Sequence, residues 1–313
     1  MQTLLLGFLT QSVAAAPNPD FKAYDMSGLS WLPPSLLAKG FENIPVLFMC
    51  DLWNHNLGKP TTCDGANFKK INQKVVRQRA EEMLGVPIVV IDIEQTSNPT
   101  SDAWHILNDS AEVTNGAVAL WQELIATFRE VNPDTEIMVY KPIQRVWWPM
   151  IQNRQIPLLK RGQSKIDARY TTSEQIASLF EDPSLLAWPS AYVDRDEPEI
   201  YRKDRQWQIS ICKELYKTRC IFALSPFYQN ERDANGQQIV VSEEWFYQII
   251  RELEADGAHG VGVWMPFRYD NPRYLELVKS WEAKGGRASD DHDPRVNWLS
   301  AVDRFLSERA TAD

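Results

Sequence analysis

The sequence is poor in the residues and motifs on which most metal, redox and acyl-transfer chemistry depends. It has 4 cysteines and 4 histidines among 313 residues, and it contains no Cys-x-x-Cys, His-x-x-x-His or Gly-x-Gly-x-x-Gly pattern. Those patterns hold metals or redox thiols, or approach the phosphates of a dinucleotide. Acyl transfer is also poorly supported, because no serine or cysteine nucleophile is paired with a nearby histidine. We therefore expect neither a metal ion nor an organic cofactor.

Positive charge is scarce as well, with 33 lysines and arginines against 42 acids and a formal net charge of −9. This balance argues against a nucleic-acid partner, since binding to polyphosphate needs a positive surface. The segment from Lys141 to Arg169 is a local exception, because its basic residues are opposed only by Asp167. It predicts a solvated loop or, if it lies beside a cleft, a surface that attracts an anionic substrate.

Long apolar runs are missing too. Residues 1–16 hold a short apolar stretch, Leu-Leu-Leu-Gly-Phe-Leu, followed by Val-Ala-Ala-Ala. This pattern predicts a secretory signal peptide, and hence a secreted or periplasmic protein. The stretch is too short to cross a membrane and no later segment is apolar enough, so we expect no membrane span.

The few cysteines fit an exported protein with two disulfides. Pairing of sequence neighbours, Cys50 with Cys63 and Cys212 with Cys220, is the simplest of three connectivities. In a reducing compartment the four residues would instead be free thiols.

Against these absences, the chain has 44% hydrophobic residues and 12 tryptophans, which is enough for a large core. Short apolar runs alternate with helical patterns, and this implies parallel strands joined by right-handed crossovers. A doubly wound sheet usually carries a glycine-rich phosphate turn, which is absent here. We therefore predict an α/β fold, a TIM-like (β/α) barrel that is irregular with seven strands. The predicted strands are 22–26, 44–51, 87–93, 136–142, 185–192, 219–226 and 259–266, and the predicted helices are 66–84, 111–131, 172–181, 198–217, 242–256 and 271–284.

We find no domain boundary inside this pattern. The barrel is predicted over residues 17–284, and a polar linker with a C-terminal helix over residues 285–313.

The third predicted strand ends in two acids, Asp92 and Glu94. Side chains two residues apart on a strand point to the same side, so both carboxylates should project together. Two like charges on one face repel each other unless a site uses them. The alternative is a strand that simply ends in solvated acids. In (β/α) barrels, however, the reactive groups lie at the carboxyl ends of the strands, so we predict that the pair is catalytic.

The other predicted strand ends are rich in acids and aromatic residues. This composition suits glycosidic bond cleavage, in which one carboxyl group protonates the leaving oxygen and a second negative group supports a positively charged centre. Aromatic rings can stack on sugars, although their common role is core packing. The predicted substrate-binding residues are Asp51, Tyr140, Lys141, Tyr192, Tyr228, Glu231 and Trp264.

The spacing of Asp92 and Glu94 narrows the predicted chemistry. Two carboxyl groups this close approach one face of the sugar and leave no room between them for a water on the opposite face. A substrate acetamido group can instead supply the nucleophile, with Asp92 holding it and Glu94 donating the proton.

Four segments of the chain resemble, in the same order, strands of the hyaluronidase family of glycoside hydrolases. Val90 to Glu94 is similar to the acid-bearing strand, and Leu186 to Tyr192 to the Tyr-Pro-Ser-x-Tyr strand. Leu224 to Tyr228 is similar to the strand that ends in Phe-Tyr, and Gly257 to Trp264 to the Gly-Ala-x-Gly-Val-Val-Leu-Trp strand. The resemblance extends from about residue 87 to residue 283.

This resemblance implies a distorted barrel that hydrolyses a polysaccharide or oligosaccharide. The N-acetyl group of the substrate would assist the hydrolysis. Glu94 would be the acid/base and Asp92 the stabiliser of the acetamido group. Tyr192 and Tyr228 would hydrogen-bond around the reacting sugar, and Trp264 would form the apolar wall of the acetamido pocket.

Two alternatives stay open, because the likeness ends directly after Glu94. The family has a bulky aromatic residue or arginine there, followed by Arg-Pro, whereas this chain continues with Gln95 to Pro99. A glycosidase for sugars without an acetamido group would pair Glu94 with a distant carboxylate, Asp194 or Glu231. A barrel of this kind could also bind carbohydrate without catalysis, because fold does not determine function.

Overall fold

The structure is a computed structural model, and it describes most of the chain between residues 18 and 311. The described residues are 18–27, 31–48, 51–52, 71–93, 111–143, 160–193, 198–236, 238–265, 272–286 and 293–311. The predicted signal peptide lies outside these ranges, as do Cys50, Cys63, Glu94 and Asp194.

Short strands and longer helices alternate along the described chain. The strands are β1 Lys22–Asp25, β2 Glu42–Asn43, β3 Val46–Phe48, β4 Ile88–Asp92, β5 Glu136–Tyr140, β6 Leu185–Trp188, β7 Ile221–Leu224, β8 Phe227–Arg232, β9 Gln238–Val240 and β10 Gly260–Val263. The α-helices are α1 Pro34–Leu37, α2 Gln73–Glu82, α3 Ala111–Arg129, α4 Lys160–Ala177, α5 Pro198–Ser210, α6 Glu243–Asp256, α7 Pro272–Ala283 and α8 Asn297–Ala310.

Local sequence explains where these elements begin and end, and α6 is the clearest example. The Ser242 side chain accepts the backbone N–H of Trp245 at 3.3 Å and so caps the helix. Glu243 and Glu244 occupy the first turn, where the helix dipole favours negative charge. Gly257 ends the helix with φ +90°, a left-handed conformation that glycine adopts at little cost.

The strands form two parallel four-stranded sheets and one antiparallel pair. The parallel sheets have the orders β2-β1-β10-β7 and β3-β4-β5-β6, and the antiparallel pair is β8-β9. The prediction of an α/β fold with parallel strands is therefore confirmed.

Backbone hydrogen bonds connect the two parallel sheets at both junctions. Between β2 and β3, the Ile44 N–H donates to the Asp25 carbonyl at 2.9 Å, while the Pro45 carbonyl accepts from Val90 at 2.9 Å. At the other junction, the Ala187 N–H of β6 donates to the Arg219 carbonyl at 3.0 Å, just before β7 begins.

Alternate residues of the strands belong to two different apolar clusters. The outer cluster combines one face of the strands with the helices, and it holds Val89 and Ile91 of β4 together with Trp121 of α3. The inner cluster lies on the opposite face, because side chains alternate along a strand. It consists of Tyr24, Met26, Ile44, Ile88, Val90, Met138, Tyr140, Leu186, Trp188, Tyr192, Ile221 and Ala223.

Strand β10 presents glycine to the inner cluster. Gly262 is the register partner of Tyr24 and so faces the same side. A Cβ on Gly262 would lie 2.4 Å from the sulfur of Met26. Met26 therefore fills the space that a side chain at position 262 would need.

All seven predicted strands overlap observed parallel strands, but three features of the fold were predicted wrongly or missed. The strand predicted at 44–51 starts at Val46, since Pro45 has no N–H to donate; its described part is Val46–Phe48, and Asp51 is no longer extended. The helix predicted at 172–181 is α4, which begins at Lys160. The prediction of a loop is therefore wrong for residues 160–169. Glycine disfavours the helix, so the glycine at position 162 made the start of α4 difficult to predict. The antiparallel hairpin of β8 and β9 was not predicted at all.

The predicted disulfide between Cys212 and Cys220 is confirmed. It joins a π-helical turn, Ile211–Tyr216, to the residue before β7, and both cysteines are buried. At the end of the chain, α8 packs on α6 and contributes Trp298 and Phe305 to the outer cluster. Among the described helices, none is both long and apolar enough to cross a lipid bilayer.

Candidate active site

Four inner-facing side chains form a row across the carboxyl ends of neighbouring strands. Phe48 of β3 is the register partner of Asp92 of β4, and Tyr140 of β5 is the partner of Trp188 of β6. Strands β4 and β5 pair up to the residues just before Asp92 and Tyr140, which brings these two side by side. Because paired strands are about 4.8 Å apart, Asp92 lies directly between Phe48 and Tyr140.

The acid in this row is buried. Asp92 is 4% exposed, and its neighbour Tyr140 is also 4% exposed. Removing a carboxyl group from water is costly unless polar partners or a bound proton compensate. Asp92 is therefore not a solvated strand end, and the alternative of two solvated acids does not hold for this residue.

Aromatic residues that were predicted as a substrate site come together beside this row. The Tyr140 hydroxyl donates to the Tyr192 hydroxyl at 3.0 Å. The Tyr192 ring stacks on Trp264, with centroids 6.0 Å apart and an interplanar angle of 24°. On its other side Tyr140 packs on Trp188 at a centroid distance of 4.6 Å. The structure thus unites Tyr140, Tyr192 and Trp264, which come from three separate strand ends.

Lys141 has an unusual backbone at the end of β5. Its φ is +46°, and a residue other than glycine rarely adopts a positive φ without a local reason. Its N–H donates to the Trp188 carbonyl at 2.9 Å, which holds the residue on the sheet. The ammonium group lies 4.8 Å from the ring centroid of Tyr140 and 5.9 Å from that of Tyr192, within the range of cation–π attraction. Strain of this kind is concentrated at functional sites.

The structure also describes three further residues that were predicted to bind substrate. The Asp51 carboxylate accepts the Phe48 N–H at 3.0 Å, and so closes the turn after β3. Tyr228 and Glu231 lie on β8, where both are half-buried, and Tyr228 packs against the outer cluster. Their roles in substrate binding stay predictions, and Glu94 and Asp194 lie outside the described residues.

A buried acid that the sequence analysis missed ends β1. Asp25 accepts hydrogen bonds from the Ser27 hydroxyl at 2.5 Å and from the Asn43 amide at 2.8 Å. Burial raises the pKa of Asp25 to about 6, although these hydrogen bonds oppose the rise. It faces the outer side of the sheet, as Ala23 does, and so points away from Asp92. The rule that singled out Asp92, an acid at a strand end, would have found Asp25 in the first strand.

Phe48 was missed for a different reason. The predicted strand extended to residue 51, so Phe48 was assigned to its interior rather than to its end. The observed strand ends at Phe48, whose side chain is 43% exposed.

These groups are suited to a polar ligand that also has apolar faces. Within the described ranges, no group of three histidine, cysteine or acidic side chains could hold a metal ion. Phenol hydroxyls and a carboxyl group can instead hydrogen-bond to hydroxyl or amide groups, while the aromatic rings offer flat apolar surfaces. A few convergent polar groups on an apolar lining are typical of small-molecule and sugar sites.

The fold has solved counterparts. The crystal structure of bee venom hyaluronidase in complex with a hyaluronic acid tetramer is similar with a TM-score of 0.54 and 13% identity, covering 90% of this chain and 99% of that chain. The monoclinic crystal structure of bee venom hyaluronidase gives a TM-score of 0.52 and 14% identity, covering 88% of this chain and 99% of that chain. No protein-family model and no curated protein sequence matches the chain. At this identity, the likeness shows that the chain shares its fold with bee venom hyaluronidase.

Proposed function

We propose that this chain is a glycoside hydrolase whose active site lies at the carboxyl ends of a seven-stranded (β/α) barrel. The observation that carries the proposal is the buried carboxyl group of Asp92, which lies among aromatic side chains on the inner face of parallel strands. In (β/α) barrels this end of the strands bears the reactive groups. The shared fold adds support, since bee venom hyaluronidase has been crystallised with a hyaluronic acid tetramer.

The barrel is proposed from the way in which the two parallel sheets meet. Strands β2 and β3 lie on one continuous segment that pairs with β1 in one sheet and with β4 in the other. Isolated bridges from Ala187 to Cys220 and from Ser190 to Ala223 link β6 to β7. With β2 and β3 counted as one strand, these contacts would close seven parallel strands around the inner cluster. The distortion expected of the barrel would lie at these two junctions, where pairing is sparse.

The proposed substrate is a polysaccharide or oligosaccharide that contains an N-acetylhexosamine. In the first step the acetamido oxygen attacks C1, the bond from C1 to the leaving oxygen breaks, and Glu94 gives its proton to that oxygen. Asp92 accepts a hydrogen bond from the acetamido N–H and stabilises the positive charge of the ring that forms. Water then attacks C1 and gives a proton to Glu94, while the bond from C1 to the acetamido oxygen breaks and restores the acetamido group. The product therefore retains the anomeric configuration.

The aromatic group supplies the binding surface in this proposal. Tyr192 would hydrogen-bond to the reacting sugar, and its hydroxyl is oriented by Tyr140. Trp264, which stacks on Tyr192, would form the wall against the acetamido methyl group. Lys141 brings a positive charge to this group and would favour an anionic glycan. A secreted or periplasmic location would suit such a substrate and the confirmed disulfide.

The test is the loss of hydrolysis in Asp92→Asn and Glu94→Gln. Wild type and variants would be assayed on N-acetylglucosamine oligosaccharides and on hyaluronan oligosaccharides, with the anomer of the product followed by NMR. We expect each variant to lose roughly 100-fold or more in kcat/KM, because a positioned acid contributes that much. Glu94→Gln should recover on glycosyl fluorides, whose leaving group needs no proton, whereas Asp92→Asn should not.

Two further variants make this test selective. Asp134→Asn removes an exposed acid at the opposite end of β5 and should keep wild-type rates. Glu231→Gln should lose far less activity than Glu94→Gln, whereas the rival mechanism with a distant carboxylate expects comparable losses. Wild-type rates in either Asp92→Asn or Glu94→Gln would refute the proposal.

A further inference from the structure

We infer that Phe48 is a stacking platform for the sugar next to the reacting one, an assignment that rests on the proposed function. The inference begins with the face on which Phe48 lies. Its strand pairs with β4 so that Val46 is opposite Val90 and Leu47 is opposite Ile91. Val90 belongs to the inner cluster and Ile91 to the outer cluster, so the next residue, Phe48, points to the inner side.

Phe48 differs from the rest of its row in exposure. Tyr140 and Asp92 are each 4% exposed and Trp188 is fully buried, whereas Phe48 is 43% exposed. Along the row, Trp188 and Tyr140 are buried, Asp92 follows them, and Phe48 at the end is open to solvent. A ligand whose reacting sugar is held at Asp92 would meet Phe48 one strand spacing away, about 4.8 Å.

The other exposed large apolar side chains of the described residues lie elsewhere. Leu37 and Tyr170 are on helices, Leu84 follows a helix, and Ile239 is on the antiparallel hairpin. Among these side chains, Phe48 alone is on a strand of the parallel sheets.

The backbone of Phe48 is held in place despite its exposed ring. Its N–H donates to the Asp51 carboxylate at 3.0 Å, and the Asp51 carbonyl accepts from Arg79 at 2.9 Å. Because this backbone is already ordered, a ligand that covers the ring needs to fix only the side-chain torsions. The C–H face of a pyranose fits an aromatic ring, because the positive C–H edges meet the negative π-face. A neutral sugar face is therefore the occupant to which we assign the platform.

The experiment compares Phe48→Ala with Phe48→Trp and with Tyr170→Ala. Tyr170 is a matched control, because it is an aromatic residue with 40% exposure that lies on α4, away from the row. Binding of free N-acetylglucosamine, and of N-acetylglucosamine and hyaluronan oligosaccharides of two to six sugars, would be measured by calorimetry in the Glu94→Gln background. KM and kcat would be measured in the active protein, and thermal unfolding would verify that each variant folds.

We expect Phe48→Ala to weaken binding and raise KM about tenfold for the longer oligosaccharides, the effect of losing one aromatic contact, while kcat changes less than twofold. Free N-acetylglucosamine, which occupies only the reacting position, should be nearly unaffected, Phe48→Trp should bind normally, and Tyr170→Ala should match wild type. Unchanged binding and KM in Phe48→Ala, in a protein that Asp92→Asn inactivates, would overturn this inference alone. If Asp92→Asn and Glu94→Gln keep full activity, the proposed function fails instead. A wild type that binds none of these oligosaccharides would overturn both.

Discussion

The two ends of the parallel strands carry different polar groups. At the amino ends, polar groups are matched within the protein: the His259 imidazole accepts the Cys220 N–H at 3.2 Å, and Thr135 donates to the Val86 carbonyl at 2.7 Å. Burial, followed by the charge of Arg219, lowers the pKa of His259 and so favours its neutral form. At the carboxyl ends an acid, an ammonium group and aromatic rings gather instead. In the proposed function, the amino ends stabilise the fold, while the inner face at the carboxyl ends binds the substrate.

Asp25 tests whether every acid at the carboxyl ends belongs to the candidate active site. Its carboxyl group is buried, and burial favours its protonated form. Its pKa is about 6 in the folded protein against an ordinary 3.8, so the folded state binds the proton more tightly than the unfolded state. The stability that this provides is fully present below pH 3.8 and is lost as the pH rises through about 6. We expect the free energy of unfolding to fall by about 3 kcal/mol between pH 3.5 and pH 7 on this account.

Urea denaturation across that pH range would measure the effect. Asp25→Asn should flatten this part of the profile, with Asp134→Asn as the exposed control. Activity at neutral pH should persist in Asp25→Asn, since Asp25 faces away from Asp92. An inactive but folded Asp25→Asn would mean that the site extends to β1.

Removal of the disulfide tests the amino ends of the strands, because Cys220 directly precedes β7. Cys212 and Cys220 are 8 residues apart, and a loop of that size contributes about 2–3 kcal/mol through the entropy of the unfolded chain. We expect the double variant Cys212→Ala and Cys220→Ala to lose that much stability in urea denaturation. Its kcat/KM at a temperature where it is fully folded should stay within twofold of wild type. A large loss of activity in the folded variant would contradict the division between the two ends.

The smallest expected loss of stability comes from removing a tyrosine hydroxyl. Two such variants compare the carboxyl ends with the outer layer. Tyr140→Phe removes the hydrogen bond to Tyr192 at the carboxyl ends, and Tyr216→Phe removes a hydrogen bond to the Pro142 carbonyl at 2.8 Å in the outer layer. Each should cost about 1 kcal/mol of stability, the usual net contribution of one buried hydrogen bond. Steady-state kinetics should separate them, with kcat/KM about tenfold lower in Tyr140→Phe and unchanged in Tyr216→Phe. Equal kinetic effects would show that the Tyr140 hydroxyl has a purely structural role.

The alternation of side chains along a strand made much of the site predictable. Residue 92 shares the face of Ile88 and Val90, and the strand ends at Tyr140, Tyr192 and Trp264 could be located from their apolar runs. The place of Phe48 in the row could not be predicted, because nothing in the run 44–51 marks residue 48 as the partner of Asp92. Tyr228 and Glu231 were correctly located beyond β7, but the antiparallel hairpin that bears them was hidden, since its pattern is mainly polar. The row position of Phe48 and the hairpin of β8 and β9 both depend on which strands pair, and a local sequence pattern does not encode that pairing.

The left-handed backbone of Lys141 has a consequence for anyone who engineers this protein. A residue with a Cβ costs of order 1–2 kcal/mol in that conformation, and glycine would remove the cost. Selection for melting temperature alone would therefore favour glycine at position 141. The stabilised protein would have lost the cation above Tyr140 and Tyr192, and with it the positive charge that the proposed function assigns to glycan binding.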